Sequence, residues 1–186
     1  DGMKIEPCCV YLNPPNRDVA IINRRLQLIE PVERHGARLP IDFFFRSLSE
    51  DQGENAICII LSGTGTDGTL GLRAIKGEGG ITMVQEEKQA KYDGMPRSAI
   101  DTGLVDYILP VEKMAEELIK YVKHPYMEGP KKILTAAEKF RDYVQKIFIL
   151  IRASTGHDFS GYKQNTIRRR IERRMAVHQI NRLADY

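Results

Sequence analysis

A glycine-rich segment that follows an apolar run is the part of this chain best suited to chemistry. Gly63, Gly65 and Gly68 have the spacing Gly-x-Gly-x-x-Gly, and the apolar run Ala56–Leu61 precedes them. Dinucleotide sites use this spacing, because free backbone N–H groups and the positive end of a helix hold a pyrophosphate there. Asp67 lies inside the turn, where its carboxylate would repel the phosphates. The pattern therefore favours a turn that holds one carboxylate rigidly at the carboxyl end of a strand, ready to orient a partner.

An acid that orients a histidine is one member of a Ser-His-Asp triad, in which serine attacks the carbonyl of an ester or amide. The sequence contains no Gly-x-Ser-x-Gly elbow, which would mark such a serine. Ser62 follows the strand directly, and we expect it to cap or brace the loop. His35 lies in a polar segment, and we expect it on the surface. The residues therefore predict the acid of a triad without a recognisable nucleophile or base.

The elements around this turn predict an α/β fold with a partial doubly wound, mostly parallel sheet. A helix should begin at Pro40, with Asp42 near its positive end and apolar residues at 41, 44, 45 and 48 on one face. Before it we expect a strand at Val10–Leu12 and a hairpin around Arg24-Arg25. After it we expect three strand–helix steps. The predicted strands are Ala56–Leu61, Ile81–Val84 and Val105–Leu109, and the predicted helices are Thr69–Lys76, Pro96–Thr102 and Val111–Lys123.

Strands that are apolar throughout predict a parallel sheet covered on both faces, with sites beyond its carboxyl ends. In the last of these helices we expect Met114, Leu118, Ile119 and Val122 to point inward. A partial sheet leaves an edge exposed, which makes a homodimer possible.

The charge distribution divides the chain into two units. Residues 130–186 carry 13 Lys and Arg against 5 Asp and Glu, whereas residues 1–129 carry 15 against 20. The break between the two units falls at His124–Pro130, a segment with two prolines and a glycine, which interrupt helical periodicity. We therefore predict an α/β unit over residues 1–123, a linker over 124–131 and an all-α helical segment over 132–186.

The second unit is expected to contain two helices, one with a heptad seam and one with a basic face. The first helix should span Lys132–Arg152, with a seam that serves either as core or as a dimer contact. The second should span Tyr162–Gln179, where five arginines fall within seven residues: Arg168, Arg169, Arg170, Arg173 and Arg174. Such a face suits carboxylates or phosphates. Nucleic acid is the generic alternative, but few aromatic residues accompany the arginines.

Composition excludes several classes of protein. The chain is 42% hydrophobic and 28% charged, as in globular proteins. No apolar run approaches the roughly 20 residues needed to cross a bilayer, so no membrane insertion is expected. The cysteines are expected to be buried or idle thiols in a reducing cytoplasm, and no zinc spacing is present.

Residues 61–72, followed by Gly94–Ile100 and Gly103–Pro110, resemble the chemotaxis receptor methylesterases (CheB type). Val10–Pro15 and Ile41–Phe45 resemble the preceding parts of the same domain. Those enzymes hydrolyse glutamate methyl esters on receptor helices with a Ser-His-Asp triad on a doubly wound α/β domain. The resemblance implies that Asp67 is the triad acid and that the backbone around Thr64 and Gly65 shapes the oxyanion site. Met95 would either cover the active site or serve as simple packing at a helix entry.

In that family the serine and the histidine precede the block that matches Val10–Pro15. The resemblance therefore implies that this segment lacks them and is inactive by itself. A regulatory receiver domain, present in many methylesterases, also has no counterpart in the sequence.

Arg152–Lys163 and Thr166–Met175 resemble the start of the chemotaxis receptor methyltransferases (CheR type). In that family a small helical domain docks its basic helix on the acidic receptor helix, and the five arginines fall on that stretch. The S-adenosylmethionine domain would follow, so no cofactor is expected in this chain.

Together the two resemblances imply a cytoplasmic methylesterase–methyltransferase fusion that acts on methyl-accepting chemoreceptor helices. The alternative from another class is a non-catalytic binding module whose basic helix docks on acidic protein or nucleic acid.

Overall fold

The computed structural model describes residues 1–31, 38–124, 137–157, 159 and 161–186, with the backbone alone at 137–139, 141–142 and 164–165. The chain forms two compact units, Asp1–Met114 and Ala115–Tyr186. His35 and most of the predicted linker lie outside the described residues, as does the start of the helix predicted from Lys132.

The first unit begins with a small antiparallel sheet of three strands. They are β1 (Met3–Lys4), β2 (Asp18–Ile22) and β3 (Arg25–Ile29), in the order β1-β3-β2. Asn23 and Arg24 connect β2 to β3 with φ angles of 52° and 59°, the left-handed pair that a tight hairpin requires. The predicted hairpin is therefore confirmed.

The strand predicted at Val10–Leu12 is wrong. No strand is described there, and Val10 and Leu12 are 89% and 88% exposed. The run is short and leads into Pro14 and Pro15, which have no N–H group to donate to a neighbouring strand. The apolar residues of this segment are therefore not sufficient to make it pair with another strand.

A parallel sheet forms the second half of this unit. It contains β4 (Ile57–Ile60), β5 (Ile81–Gln85) and β6 (Tyr107–Leu109), in the order β4-β5-β6. The helices of this unit are α1 (Pro40–Gln52), α2 (Thr69–Gly77) and α3 (Gly94–Ile100), with short 3-10 turns at Gly53–Asn55 and Glu87–Gln89. The next helix, α4 (Val111–Val122), begins in this unit and continues into the second, since the division falls after Met114. The predicted α/β class with a parallel sheet is confirmed.

The core lies between this sheet and the helices α1, α2 and α3. Its buried members come from all of these elements: Phe45, Ala56, Cys58, Ile60, Leu72, Ile75, Val84 and Ala99. The predicted apolar face of α1 is confirmed, because Ile41, Phe44 and Leu48 pack against this cluster.

Burial of the strands and of α4 differs from expectation in places. β5 is buried at every position, but Ile59 of β4 and Ile108 of β6 are 39% and 48% exposed, so the predicted cover of both faces holds only for the central strand. On α4, Ile119 and Val122 are more than half exposed, while Met114 and Tyr121 are buried. The inward stripe therefore runs through 114, 118 and 121, steps of four and three residues.

The second unit contains the larger part of α4, followed by α5 (Ala137–Thr155) and α6 (Gln164–Val177). Val144 of α5 and Ile171 and Met175 of α6 form a buried cluster, against which Phe140 and Ile147 pack. Three residues of the heptad seam, Phe140, Val144 and Ile147, are therefore used as core within their own unit.

Candidate active site

The glycine-rich turn follows the carboxyl end of β4, as predicted. Gly65 and Gly68 have φ angles of +79° and +90°, which L side chains rarely adopt. A Cβ atom on Gly68 would also lie 3.1 Å from side-chain atoms of both Ile41 and Ile60. Gly68 is the residue before α2 and follows Asp67 directly, so this backbone fixes where the Asp67 side chain starts.

The carboxylate of Asp67 is held by the first turn of α1. Its Oδ2 atom accepts a hydrogen bond from the N–H of Ile41 at 3.0 Å, and its Oδ1 atom accepts one from the N–H of Asp42 at 2.9 Å. Leu39, which precedes the helix, forms no capping hydrogen bond through its side chain, and Pro40 has no N–H. Asp67 therefore satisfies the two amide donors that the start of α1 leaves free.

This arrangement leaves the Asp67 carboxylate able to accept a further hydrogen bond. An ionised carboxylate has about four lone-pair sites, and two are used here. The side chain is half-buried, and the positive end of α1 favours its negative charge. These are the properties that a triad acid needs to fix an imidazole N–H.

Asp42 is a further candidate site residue. The sequence predicted only that it lies near the start of α1. It is 3% exposed, and its Oδ1 atom accepts a hydrogen bond from the N–H of Gly71 at 2.6 Å. Its Oδ2 atom is buried and has no hydrogen-bond partner among the described residues. Asp42 therefore caps α2, whose preceding residue Gly68 has no side chain to do so.

The opposite side of the turn is fastened to the segment that enters α3. Gly63 donates its N–H to the carbonyl of Tyr92, and Met95 donates its N–H to the carbonyl of Gly63, both at 2.9 Å. The hydroxyl of Ser62 accepts the N–H of Tyr92 at 2.9 Å. The Ser62 N–H in turn donates to Oε1 of Gln85 at 2.7 Å. Ser62 thus braces the loop, and Gln85 is a brace that the sequence did not reveal.

Met95 lies against the turn. A Cβ atom on Gly63 would be 2.2 Å from the sulfur of Met95, so a side chain at position 63 would collide with it. Met95 is in the first turn of α3 and also packs against the core cluster. Packing at the helix entry is therefore observed, whereas a role in covering the active site stays a prediction.

Thr64 and Gly65 are exposed at the top of the turn. Their N–H groups, together with that of Thr66, donate to no acceptor within the described part of the chain. A Cβ atom on Gly94 would lie 2.9 Å from the nitrogen of Gly65, so the two backbones approach closely. Free N–H groups of this kind are what an oxyanion site requires, and their use in one stays a prediction.

The arginines of α6 fall into two groups. Arg168 donates from Nε to Oε1 of Glu172 at 2.8 Å, and its guanidinium lies 5.0 Å from the ring centre of Phe140. It is half-buried, as is Arg173. Arg169, Arg170 and Arg174 are exposed. Arg168 thus contributes to packing, and the exposed members carry the basic surface for which receptor binding is predicted.

Neither a reactive thiol at Cys58 nor a metal centre is found among the described residues. Burial, followed by the charge of Asp106, raises the pKa of the Cys58 thiol to about 12. The described residues contain no group of three or more His, Cys, Asp or Glu side chains arranged to hold a metal ion. Among the described helices, none combines the length and the hydropathy that a bilayer span demands.

Comparison with known families confirms both resemblances. Residues 1–118 match the CheB methylesterase family, and residues 140–186 match the family described as CheR methyltransferase, all-alpha domain. The catalytic domain of Thermotoga maritima CheB methylesterase has a similar structure, with a TM-score of 0.59 and 31% identity over 64% of this chain and 65% of that one.

Two curated relatives show how the segments occur in longer proteins. A protein-glutamate methylesterase/protein-glutamine glutaminase of Rhizobium meliloti is 36% identical over 63% of this chain and 34% of its own length. An uncharacterized 104.1 kDa protein of Rhodobacter capsulatus is 32% identical over 100% of this chain and 22% of its own length. The chain therefore spans about a third or less of these relatives. Since the methylesterase match covers residues 1–118, well over half of the chain, this protein belongs to the CheB methylesterase family.

Proposed function

We propose that the first unit supplies the acid and the oxyanion loop of a protein-glutamate methylesterase that acts on chemoreceptor helices. The observation that carries this proposal is the Asp67 carboxylate, fixed at the carboxyl end of β4 by two N–H groups of α1 and still able to accept another. The family membership and the names of the relatives support the reaction class.

In the proposed reaction a serine attacks the methyl ester, and a histidine takes the proton of the serine and then delivers it to the departing methanol. Asp67 accepts the other imidazole N–H, which fixes the tautomer and stabilises the imidazolium that forms. The N–H groups of Thr64 and Gly65 stabilise the negative oxygen of the tetrahedral intermediate. Water then releases glutamate from the acyl-enzyme by the same sequence of proton transfers. We propose that the serine and the histidine belong to a part of the parent protein that precedes this chain.

The second unit supports a docking role. Arg169, Arg170 and Arg174 form an exposed cationic surface on α6, which suits the acidic helices of chemoreceptors. We propose that this unit brings a fused methyltransferase to the receptor, that S-adenosylmethionine binds outside this chain, and that the parent protein is cytoplasmic. Within the described residues β4 pairs on one side only, so we also propose that this chain by itself can form a homodimer through this edge.

A completed domain tests the methylesterase proposal. It joins residues 1–118 of this chain to the part of the Thermotoga maritima catalytic domain that lies outside the matched region, and methanol release from a methylated receptor fragment is measured. The 186-residue chain without that addition is the control. Release by the completed domain alone supports the proposal. A folded completed domain without activity contradicts it, and release by the control would place a serine and a histidine within this chain.

A further inference from the structure

We infer that Asp42 is a positioning residue for Asp67, an inference that deepens the proposed function and rests on it. The carboxylate of Asp67 binds the start of α1, on which Asp42 lies. The carboxylate of Asp42 binds Gly71 in α2, and Asp67 precedes that helix by two residues. The contacts form a closed ring, called here the carboxylate ring, that consists of Asp67, Ile41, Asp42 and Gly71 and the short backbone segments between them.

The carboxylate ring places each negative charge at the positive end of the opposite helix. Asp67 satisfies the free amides of α1, and Asp42 satisfies a free amide of α2. An N-cap acid normally serves its own helix. Because the caps are exchanged, the position of α2 depends on α1, and so does the direction in which the Asp67 carboxylate points.

Gly71 makes this exchange possible. A Cβ atom at position 71 would lie 2.4 Å from Cβ of Phe45 and 3.2 Å from Cα of Asp42. The backbone of α2 at Gly71 therefore lies so close to α1 that no side chain fits at this position. This close approach lets the short side chain of Asp42 reach the N–H of Gly71.

The unpartnered Oδ2 atom of Asp42 indicates that this residue serves more than stability. A buried carboxyl oxygen without a hydrogen bond lowers the free energy of unfolding, because water solvates it in the unfolded chain. The cost is understandable if the carboxylate fixes the acid of a triad, since small displacements of catalytic groups slow reactions strongly.

Nuclear magnetic resonance on the full 186-residue chain tests the inference without requiring activity. The amide proton of Ile41 reports its hydrogen bond to Asp67, and the amide of Gly71 reports the bond to Asp42. Hydrogen exchange at both is compared with that of the β5 amides, which gauge global stability. The chemical shift of Ile41 is also followed while the Asp67 carboxyl carbon is titrated with acid.

We expect Asp42→Ala to accelerate exchange at Ile41 about tenfold relative to β5, the effect of losing roughly one hydrogen bond, and to weaken the response of Ile41 to the titration. Asp42→Asn keeps an oxygen for Gly71, so it should restore both signals. If Asp42 merely caps α2, Asp42→Ala will accelerate exchange at Gly71 and leave Ile41 unchanged, which would overturn the inference.

The reverse experiment covers the case in which Asp42→Ala does not fold. Energetic coupling is reciprocal, so Asp67→Asn must then accelerate exchange at Gly71, which Asp67 does not contact directly. An unchanged Gly71 amide in a folded Asp67→Asn chain would overturn the inference. The outcome is independent of methanol release: an intact carboxylate ring in a completed domain without activity would refute the proposed function alone.

Discussion

The carboxylates of Asp67 and Asp42 cap each other's helices. Asp67 accepts the N–H groups of Ile41 and Asp42 at the start of α1, and Asp42 accepts the N–H of Gly71 in the first turn of α2. The proposed triad acid is therefore also part of the helix packing. Any substitution of Asp67 has to be judged by the stability of the chain as well as by its activity.

Gly71→Ala should lower the free energy of unfolding by about 1–3 kcal/mol, because its Cβ atom would collide with Phe45 and Asp42. Gly77→Ala is the matched control in the same helix, since a Cβ atom there meets nothing within 4 Å. The control should raise stability by about 0.4–1 kcal/mol through the lower entropy of the unfolded chain. Urea unfolding of both variants checks this, and equal effects would show that α1 and α2 are farther apart than described.

Lys76→Met should destabilise the first unit by about 3–5 kcal/mol, because it removes the ammonium group that pairs with the buried charge of Asp106. Asp106 is 1% exposed at its side chain, pairs with Nζ of Lys76 and accepts the N–H of Thr82 at 3.1 Å. The double variant Lys76→Met with Asp106→Asn should recover part of the loss.

Thermal or urea unfolding of the single and the double variant measures these changes in stability. The exposed Lys113→Met serves as the control and should change stability by less than about 0.5 kcal/mol. A single Lys76→Met variant as stable as that control would contradict the buried ion pair.

Cys58 should resist alkylation in the folded chain, whereas Cys8 and Cys9 should react. Cys58 is buried with its pKa raised to about 12, and the other two are exposed. Near neutral pH its thiolate, the reactive form, is therefore almost absent. Mass spectrometry after a timed treatment with iodoacetamide should show two modified sites, and a third only in denaturant. Early modification of Cys58 would show that β4 opens readily.

Arg169→Glu combined with Arg174→Glu should abolish binding of the chain to an acidic receptor helix, because the exposed surface formed by Arg169, Arg170 and Arg174 then carries more negative than positive charge. The same change of charge on α5, made by Lys146→Glu with Arg152→Glu, is the control and should retain most of the affinity. Titration at two salt concentrations measures both. Equal affinity of the α6 variant and the original chain would refute docking through α6.

Sequence reasoning found elements whose signals are local. The apolar run of β4, the left-handed glycines and the helix start after Gly68 are adjacent in the chain, and so the turn that carries Asp67 could be predicted. The partners of Asp67 could not be predicted, because Ile41 and Asp42 lie 26 and 25 residues away and contribute backbone N–H groups. Because every residue except proline has a backbone N–H group, residue type does not reveal which of these groups binds a carboxylate.

The same reason explains why Gln85 and the link between Asp42 and Gly71 were missed. Both depend on contacts more than 20 residues apart in the chain. The failed strand at Val10–Leu12 shows the converse, since residue type there indicated a strand but no strand among the described residues pairs with it. Local patterns therefore predicted most of the helices and strands, whereas contacts between distant parts of the chain determine how the Asp67 carboxylate is held.

The turnover number of the completed domain carrying Asp67→Asn shows most directly whether Asp67 is the acid of the triad. The folded fraction of each variant is measured by urea unfolding, so that the loss of a helix cap, about 1 kcal/mol, is separated from the loss of catalysis. We expect kcat to fall about 10⁴-fold at an almost unchanged KM, because the histidine would lose its orienting acid. A folded Asp67→Asn domain with the kcat of the original would contradict the assignment of Asp67 as the triad acid.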